Sequence, residues 1–256
     1  MAYTTIRYET EEHITRVILS RPEAGNAVNP QMAAELMGVC SQLSQQESLR
    51  GVIIAGDGDT DFCSGEDIVD LTSVPSEELV NICSLAEAVS QVEIPVIAAI
   101  NGKASGIGLA LALACDLRIA SDRATFGVRD NGDGYLLPTG LTQWLPRIVG
   151  VGKASEMLLL GDPIDSEEAY QVGLVHRVVP HPQVMAEAEK LARSIGAKAP
   201  IAMKYAKEAV HKGLDLTLEQ GMRLECDLYM ILHTTADRHE GIRAFQQKKT
   251  PQFECK

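Results

Sequence analysis

The chain has 256 residues, of which 45% are hydrophobic, and its formal net charge is −12. This length and composition allow one large domain or two small ones with a substantial apolar core. The negative charge argues against a nucleic-acid surface, which needs a basic stripe, and against attraction to an anionic membrane. With no signal-peptide pattern and no apolar run that could span a bilayer, we expect a cytoplasmic protein. The six cysteines lack zinc spacing, so we expect no metal site.

The first half of the chain predicts paired strands followed by helices. Alternating apolar residues between positions 5 and 20 predict a β-hairpin. Asn29 and Pro30 predict a helix start, as N-cap and first helical residue, with the helix running to about residue 44. The elements predicted next are strands at 51–55, 95–100 and 117–120 and a helix at 76–91. This repeating strand–strand–helix order differs from a doubly wound sheet, which has one strand per helix.

From about residue 139 the pattern becomes almost entirely helical. The helix-like segments are 139–146, 151–160, 166–172, 182–196, 200–212, 217–232 and 235–248, with one strand at 174–179. The sequence therefore predicts an α/β core over residues 1–195, carrying the functional site, and a helical region over residues 196–256.

Two glycine-bearing turns are the most informative local features. F-C-S-G-E-D-I (62–68) follows the strand at 51–55, and N-G-K-A-S-G-I-G (101–108) follows the strand at 95–100 and leads into a predicted helix. Two such turns side by side can direct two backbone N–H groups at one point, as an oxyanion hole requires. Unpaired N–H groups and the dipole at a helix start strengthen such a site.

Both turns resemble signatures of the crotonase (enoyl-CoA hydratase/isomerase) superfamily. The resemblance extends from the R-P-E segment at 21–23 to the F-Q-Q-K segment at 245–248 and so covers nearly the whole chain. It implies a spiral of β-β-α units with a helical C-terminal trimerisation region, assembled as a homotrimer or a dimer of trimers. It also implies an acyl-CoA thioester substrate in fatty acid metabolism, with coenzyme A as part of the substrate and no separate cofactor.

The resemblance assigns the oxyanion-hole donors to the backbone N–H groups of Glu66 and Ile107. Glu66 stands where the family usually has a small residue, so we expect its carboxylate to point away from the developing enolate. Ile107 stands where the family has glycine. A β-branched residue tolerates positive φ poorly, so we expect ordinary helical or bridge geometry at Ile107 unless its side chain packs inward and blocks the pocket.

The acid–base positions of the family are only partly kept. Its hydratases use two glutamates, and the first corresponds here to Ala110, which cannot transfer a proton. The second corresponds to Asp130 in F-G-V-R-D (126–130). A single carboxylate that removes a proton from one carbon and returns it to another resembles the enoyl-CoA isomerase subgroup. We therefore prefer double-bond isomerisation over hydration.

The sequence is compatible with several other functions. Asp133 or Tyr135 could act as a second acid, which would give hydration (a lyase reaction) or hydrolysis of a 3-oxoacyl or β-diketone substrate. The substitutions at 66, 107 and 110 would also fit a catalytically silent acyl-CoA-binding homologue. Asp130 and Asp133 could instead be solvated loop carboxylates.

The resemblance also indicates where coenzyme A would bind. The R-P-E-A-G-N-A loop (21–27), with Ala24, lines the family's CoA pocket. Phe245 and Lys248 match an aromatic residue and a lysine that reach CoA from a neighbouring subunit, although Lys248 could equally be a solvated helix end. The remaining predicted substrate contacts lie in the two turns, at Ser64, Asp67, Ile68 and Gly106.

Overall fold

The structure, a computed structural model, describes residues 3–67, 76–128 and 139–256, with the backbone alone described for 76–79. The strands are β1 (Ile6–Glu11), β2 (Ile14–Leu19), β3 (Gly51–Gly56), β4 (Asp61–Cys63), β5 (Val96–Ile100), β6 (Lys103–Ser105), β7 (Leu117–Ser121), β8 (Thr125–Gly127), β9 (Ile164–Asp165) and β10 (Arg177–Val179). The helices are α1 (Pro30–Leu43), α2 (Ser76–Ser90), α3 (Ile107–Ala114), α4 (Leu141–Leu160), α5 (Ser166–Gln171), α6 (Val184–Gly196), α7 (Pro200–Gly213), α8 (Leu218–Leu232) and α9 (Ala236–Gln247).

The strands form two sheets, in the orders β1-β2-β3-β5-β7-β10 and β4-β6-β8-β9. Neighbouring strands run parallel, except that β1 is antiparallel to β2 and β9 to β8. Strands β3, β5 and β7 each continue into a short strand of the second sheet, at β4, β6 and β8. The chain therefore advances as a spiral of β-β-α units, which confirms the predicted fold class.

Strands β3 and β5, in the middle of the first sheet, are buried on both faces, which explains their continuous apolar sequences. Successive side chains alternate between two clusters because a strand has a period of two. Ile53, Ile97 and Ile119 face α6, whereas Ile54 and Ala98 face the larger core with α1, α2 and α3. Helix α3 is packed in this larger core, and it thereby positions the second glycine turn (101–108), from which it begins.

Most predicted elements are confirmed, and the differences have simple causes. The Asn29 side chain caps α1 by accepting the Met32 N–H at 2.9 Å, with Pro30 following as the first helical residue. The two helices predicted at 139–146 and 151–160 form α4, which is interrupted at Gly150 (φ 80°, ψ 158°). Strands β4, β6 and β9 were not predicted, because two or three residues are too few to establish a period.

Glu35 joins the N-terminal segment to α1. Its carboxylate accepts hydrogen bonds from the backbone N–H and the hydroxyl of both Thr4 and Thr5, at 2.6–3.0 Å. Desolvation by burial raises the pKa of Glu35, but bonds from Thr5, Gln31 and the two N–H groups outweigh it and lower the pKa to about 2. The ionised form is therefore the one that the fold stabilises.

We expect Glu35→Gln to lower the free energy of unfolding by about 1–3 kcal/mol at pH 7, since it weakens hydrogen bonds to a charged group. Because the folded pKa lies below the ordinary value of 4.5, this contribution is present above pH 4.5 and is lost as the pH falls towards 2. Urea unfolding at pH 7 and pH 3 measures it, with the exposed Glu47→Gln as control. A difference from wild type that does not shrink at pH 3 would contradict this interpretation.

A buried arginine donates hydrogen bonds to carbonyl groups at the C-terminal end of α3. Arg118 is 5% exposed and donates from Nε to the Leu174 carbonyl at 2.6 Å and from Nη1 to the Cys115 carbonyl at 2.7 Å. Burial lowers the pKa of Arg118 from its usual value, and the charges of Cys115 and Asp116 oppose this shift only in part. This side chain therefore holds the helix whose other end carries the Ile107 N–H.

Arg118→Met should destabilise the protein by about 2–6 kcal/mol, since two buried carbonyls lose their donor and each costs about 1–3 kcal/mol. Arg118→Lys, which keeps the charge but not the planar fork, should lose less. Urea unfolding checks both, with the exposed Arg193→Met as a matched control. A loss in Arg118→Met no larger than that of the control would show that the carbonyl contacts contribute little.

The helices after α6 lie at the C-terminal end of the chain. Lys207 of α7 forms an ion pair with Asp116 at 2.8 Å, next to the start of β7. Among the helices in the described part of the chain, none is long and apolar enough to cross a membrane.

Candidate oxyanion-hole site

The second sheet places the two glycine turns side by side. Strands β4 and β6 are parallel neighbours, with Cys63 opposite Ala104, so both turns leave the same edge. A Cβ atom at Gly65 (φ 124°) would lie 3.5 Å from the Ser105 carbonyl oxygen. The predicted proximity of the two turns is therefore present in the structure.

The start of α3 requires glycine at two positions. Gly106 has φ 52° and ψ −125°, which a residue with a Cβ adopts only with strain. At Gly108 a Cβ would lie 2.2 Å from the Cys63 carbonyl oxygen, so α3 approaches the β4 backbone more closely than a side chain permits. These glycines bring the N-terminus of α3 against the first turn.

Ile107 is the first residue of α3, and Gly106 before it takes the positive φ. The backbone geometry expected at Ile107 is thus observed. Its side chain is fully buried and belongs to the apolar core. The β-branched side chain is accommodated in the core, while its N–H group faces the first turn.

The expected orientation of Glu66 is wrong. Its side chain is 9% exposed, and its Oε1 atom accepts the Ile107 N–H at 3.0 Å. A Cβ at Gly106 would lie 2.6 Å from Glu66 Oε2, so the carboxylate packs directly over that glycine. The physical reason is the α3 terminus, where an N–H group and the helix dipole stabilise an anion. The carboxylate therefore lies in the predicted oxyanion hole.

The backbone around Glu66 is fixed by the segment that follows the 21–27 loop. Val28 donates to the Gly65 carbonyl and accepts the Asp67 N–H, both at 2.9 Å, which forms a parallel bridge between Val28 and Glu66. In such a bridge the N–H of Glu66 lies on the strand edge away from Val28. This direction is compatible with the donor role predicted for it.

Arg21 and Asp67 connect the two segments a second time. Their side chains form an ion pair at 2.8 Å, each 17% exposed, and Arg21 also donates to the Ala27 carbonyl. Asp67, predicted as a substrate contact, therefore has a structural partner. This pair could not be predicted from the sequence, because 46 residues separate its members and no local pattern relates them.

The predicted contacts of the 21–27 loop lie beside the first turn. Ser64 donates from its backbone N–H to the Gly25 carbonyl at 2.9 Å, and its hydroxyl lies 3.4 Å from the Ala24 carbonyl oxygen. Asn26, which is fully buried, donates to the carbonyls of Asp57 and Asp61 at 2.9 Å. The structure thus brings Ala24 and Ser64 together, and Asn26 holds the loop in place.

The acid–base positions are only partly visible. Ala110 is fully buried on α3, one turn after Gly106, whose carbonyl accepts its N–H at 3.1 Å. Three residues with predicted proton-transfer roles, and one predicted substrate contact, lie outside the described residues. They are Asp130, Asp133, Tyr135 and Ile68.

Thiol chemistry at this site is disfavoured. Burial raises the pKa of the Cys63 thiol to about 12, so it is protonated at neutral pH. Desolvation also raises the pKa of Cys83 on α2, and the charge of Glu66 raises it further. The latter effect places Cys83 within electrostatic range of the Glu66 carboxylate.

The predicted C-terminal CoA contacts are far from this turn in sequence and lie on an outer surface. Phe245 is 86% exposed near the end of α9, and Lys248 ends that helix in a left-handed conformation with φ 54°. The structure therefore shows both side chains at an exposed helix end and gives neither a contact with Glu66 or Ile107.

Comparison with known proteins agrees with this geometry. Residues 9–256 match the family model described as enoyl-CoA hydratase/isomerase. YngF of Bacillus subtilis (strain 168) is 39% identical over 242 residues, 93% of each chain, and a crotonyl-CoA hydratase of Syntrophomonas wolfei is 35% identical over 99% of each. The crystal structure of an enoyl-CoA hydratase from Bacillus anthracis superposes with a TM-score of 0.95 at 34% identity, covering 99% of this chain and 100% of that one.

The two-sheet spiral and its paired glycine turns define the crotonase class of α/β folds. Within that class, the chain belongs to the enoyl-CoA hydratase/isomerase family and is an acyl-CoA enzyme.

Proposed function

We propose that the protein isomerises the double bond of an enoyl-CoA through a thioester enolate. The observation that carries this proposal is Ala110, which leaves α3 without the carboxylate that the family's hydratases have there. Asp130 is the proton carrier, and the N–H groups of Glu66 and Ile107 receive the carbonyl oxygen. Two aimed donors stabilise the negative charge that develops on that oxygen. The reaction is a proton transfer and needs no resident cofactor.

Hydration is the second candidate. It is favoured by relatives over nearly the whole chain that are named crotonyl-CoA hydratase and short-chain-enoyl-CoA hydratase. Water addition needs a group that activates water and one that delivers a proton to the α-carbon. Isomerisation needs no bound water, and for that reason we place it first.

We place the coenzyme A moiety along the 21–27 loop and the first turn, with Phe245 and Lys248 contributed by a neighbouring subunit. Their exposure fits a contact made between copies of the chain. Large apolar side chains on α7, α8 and α9 are also exposed, which is typical of an interaction surface; they include Val210, Leu218, Met222, Met230 and Ile242. These features support an assembly of several copies, which we propose to be a homotrimer or a dimer of trimers. We further propose that it acts in the cytoplasm.

The test is product analysis in deuterated water. The purified protein is incubated separately with a 3-enoyl-CoA and a 2-enoyl-CoA, and the products are identified by mass spectrometry. Conversion of the 3-enoyl to the 2-enoyl thioester with deuterium uptake supports isomerisation. Addition of one water to the 2-enoyl thioester makes the protein a hydratase. No change in either substrate would exclude both and leave an acyl-CoA-binding role or hydrolysis of an oxo substrate.

A further inference from the structure

We propose that Glu66 is a catalytic carboxylate that removes or delivers the proton at the α-carbon of the thioester. It would supply the second proton-transfer group that α3 lacks at Ala110. This inference rests on the proposed enolate chemistry and goes beyond the single-carboxylate mechanism predicted from the sequence.

The first observation is the position of the carboxylate. Glu66 Oε1 accepts the Ile107 N–H at 3.0 Å, the same N–H group that the thioester oxygen would take. The α-carbon of a thioester lies about 2.4 Å from its carbonyl oxygen by ordinary bond lengths and angles. A carboxylate displaced from this N–H by the oxygen therefore remains close to the α-carbon, within reach for proton transfer.

The second observation is that the backbone on both sides of Glu66 is held by neighbouring segments. The bridge between Val28 and Glu66 and the ion pair between Arg21 and Asp67 fix the main chain on both sides. In the proposed displacement only the side-chain bonds of Glu66 rotate, so the turn does not have to move. The N–H of Glu66 keeps its direction throughout.

A further argument concerns charge. An ionised Glu66 that stayed beside the substrate as a spectator would repel the enolate forming next to it. If Glu66 instead takes the α-proton, it becomes neutral as the enolate becomes negative. The substrate then gains its charge beside a neutral acid, so a catalytic role removes the repulsion that a spectator role would leave.

The step balances as a proton transfer. In isomerisation, a Glu66 oxygen bonds the proton of C2, the C2–H electron pair forms the C1–C2 double bond, and the carbonyl pair moves to oxygen. Protonated Asp130 then gives its proton to C4, and the C3–C4 π pair forms the new C4–H bond. The C1–C2 π pair becomes the C2–C3 double bond, and an oxygen lone pair re-forms the carbonyl. Proton exchange with water restores both carboxyl groups. In hydration, Asp130 would take a proton from the water whose oxygen bonds C3, and protonated Glu66 would give its proton to C2 of the enolate.

The experiment measures α-proton exchange, which isolates this step. Wild type, Glu66→Gln and Glu66→Ala are incubated with saturating butyryl-CoA in deuterated water, and deuterium uptake at C2 is followed by mass spectrometry alongside enoyl-CoA turnover. We expect both variants to lose exchange and kcat by about 10²-fold, the usual scale for an acid–base group. The control is Glu35→Gln, another glutamate that is 9% exposed, which should exchange at the wild-type rate.

The outcomes separate the inference from the function on which it rests. Glu66→Ala with unchanged or faster exchange, or with higher kcat, would overturn it and make Glu66 a competitor for the Ile107 N–H. Glu66→Gln keeps the side-chain volume, so a folded Glu66→Gln protein with wild-type exchange would overturn it as well. Wild type that neither exchanges nor turns over an acyl-CoA would instead refute the proposed enolate chemistry.

Discussion

Replacing Asp130 by asparagine is expected to lower kcat for enoyl-CoA turnover by about 10²–10⁴-fold, the range for loss of a general acid–base group. Asparagine keeps the size of the side chain and can still form hydrogen bonds, but it cannot carry a proton at neutral pH. KM should change little, because the substitution leaves the proposed oxyanion donors and CoA contacts in place. Steady-state kinetics with the substrate identified by product analysis measures both quantities.

The same loop provides a matched control. Asp133→Asn removes a carboxylate three residues away, and we expect kcat within a few-fold of wild type, the behaviour of a solvated loop residue. Full loss in Asp133→Asn with an active Asp130→Asn protein would contradict the assignment and move the proton-carrier role to Asp133. Wild-type activity in both variants would show that neither aspartate carries the proton.

Replacing Ile107 by proline is expected to lower kcat by about 10²–10³-fold, the usual loss on removing one oxyanion-hole donor. Proline has no N–H, and the first position of a helix tolerates it because that N–H is not needed within the helix. Gly106 before it lies outside the right-handed helical region, which a following proline would disfavour. The variant therefore removes the donor with little cost to α3.

The loss of the buried isoleucine side chain needs its own control. Ile107→Val keeps the N–H and most of the volume, and it should cost about 0.5–1.5 kcal/mol in stability with kcat close to wild type. Circular dichroism and urea unfolding show whether Ile107→Pro is folded. A folded Ile107→Pro protein with the kcat of Ile107→Val would contradict the donor role of this N–H.

Local pattern predicted much of the fold. Apolar runs followed by glycine turns predict the buried strands at 51–55 and 95–100, and Asn29 with Pro30 predicts the start of α1. These signals can be recognised in sequence because hydrophobic period and helix capping involve only a few neighbouring residues. The short strands β4 and β6 escaped prediction, since three residues carry no period. Their pairing is decided by the spiral, which places the two turns at one sheet edge.

The sequence by itself determined which residues stand at the candidate site: glycines in the two turns, Glu66 and Ile107 beside them, and Ala110 without a carboxylate. It could not determine where the Glu66 side chain points, because its partner, the Ile107 N–H, is 41 residues away in the chain. The pair between Arg21 and Asp67 was hidden for the same reason. Such contacts depend on the parallel pairing of β4 and β6 and on the close approach of α3 at Gly108, so the tertiary structure decided them.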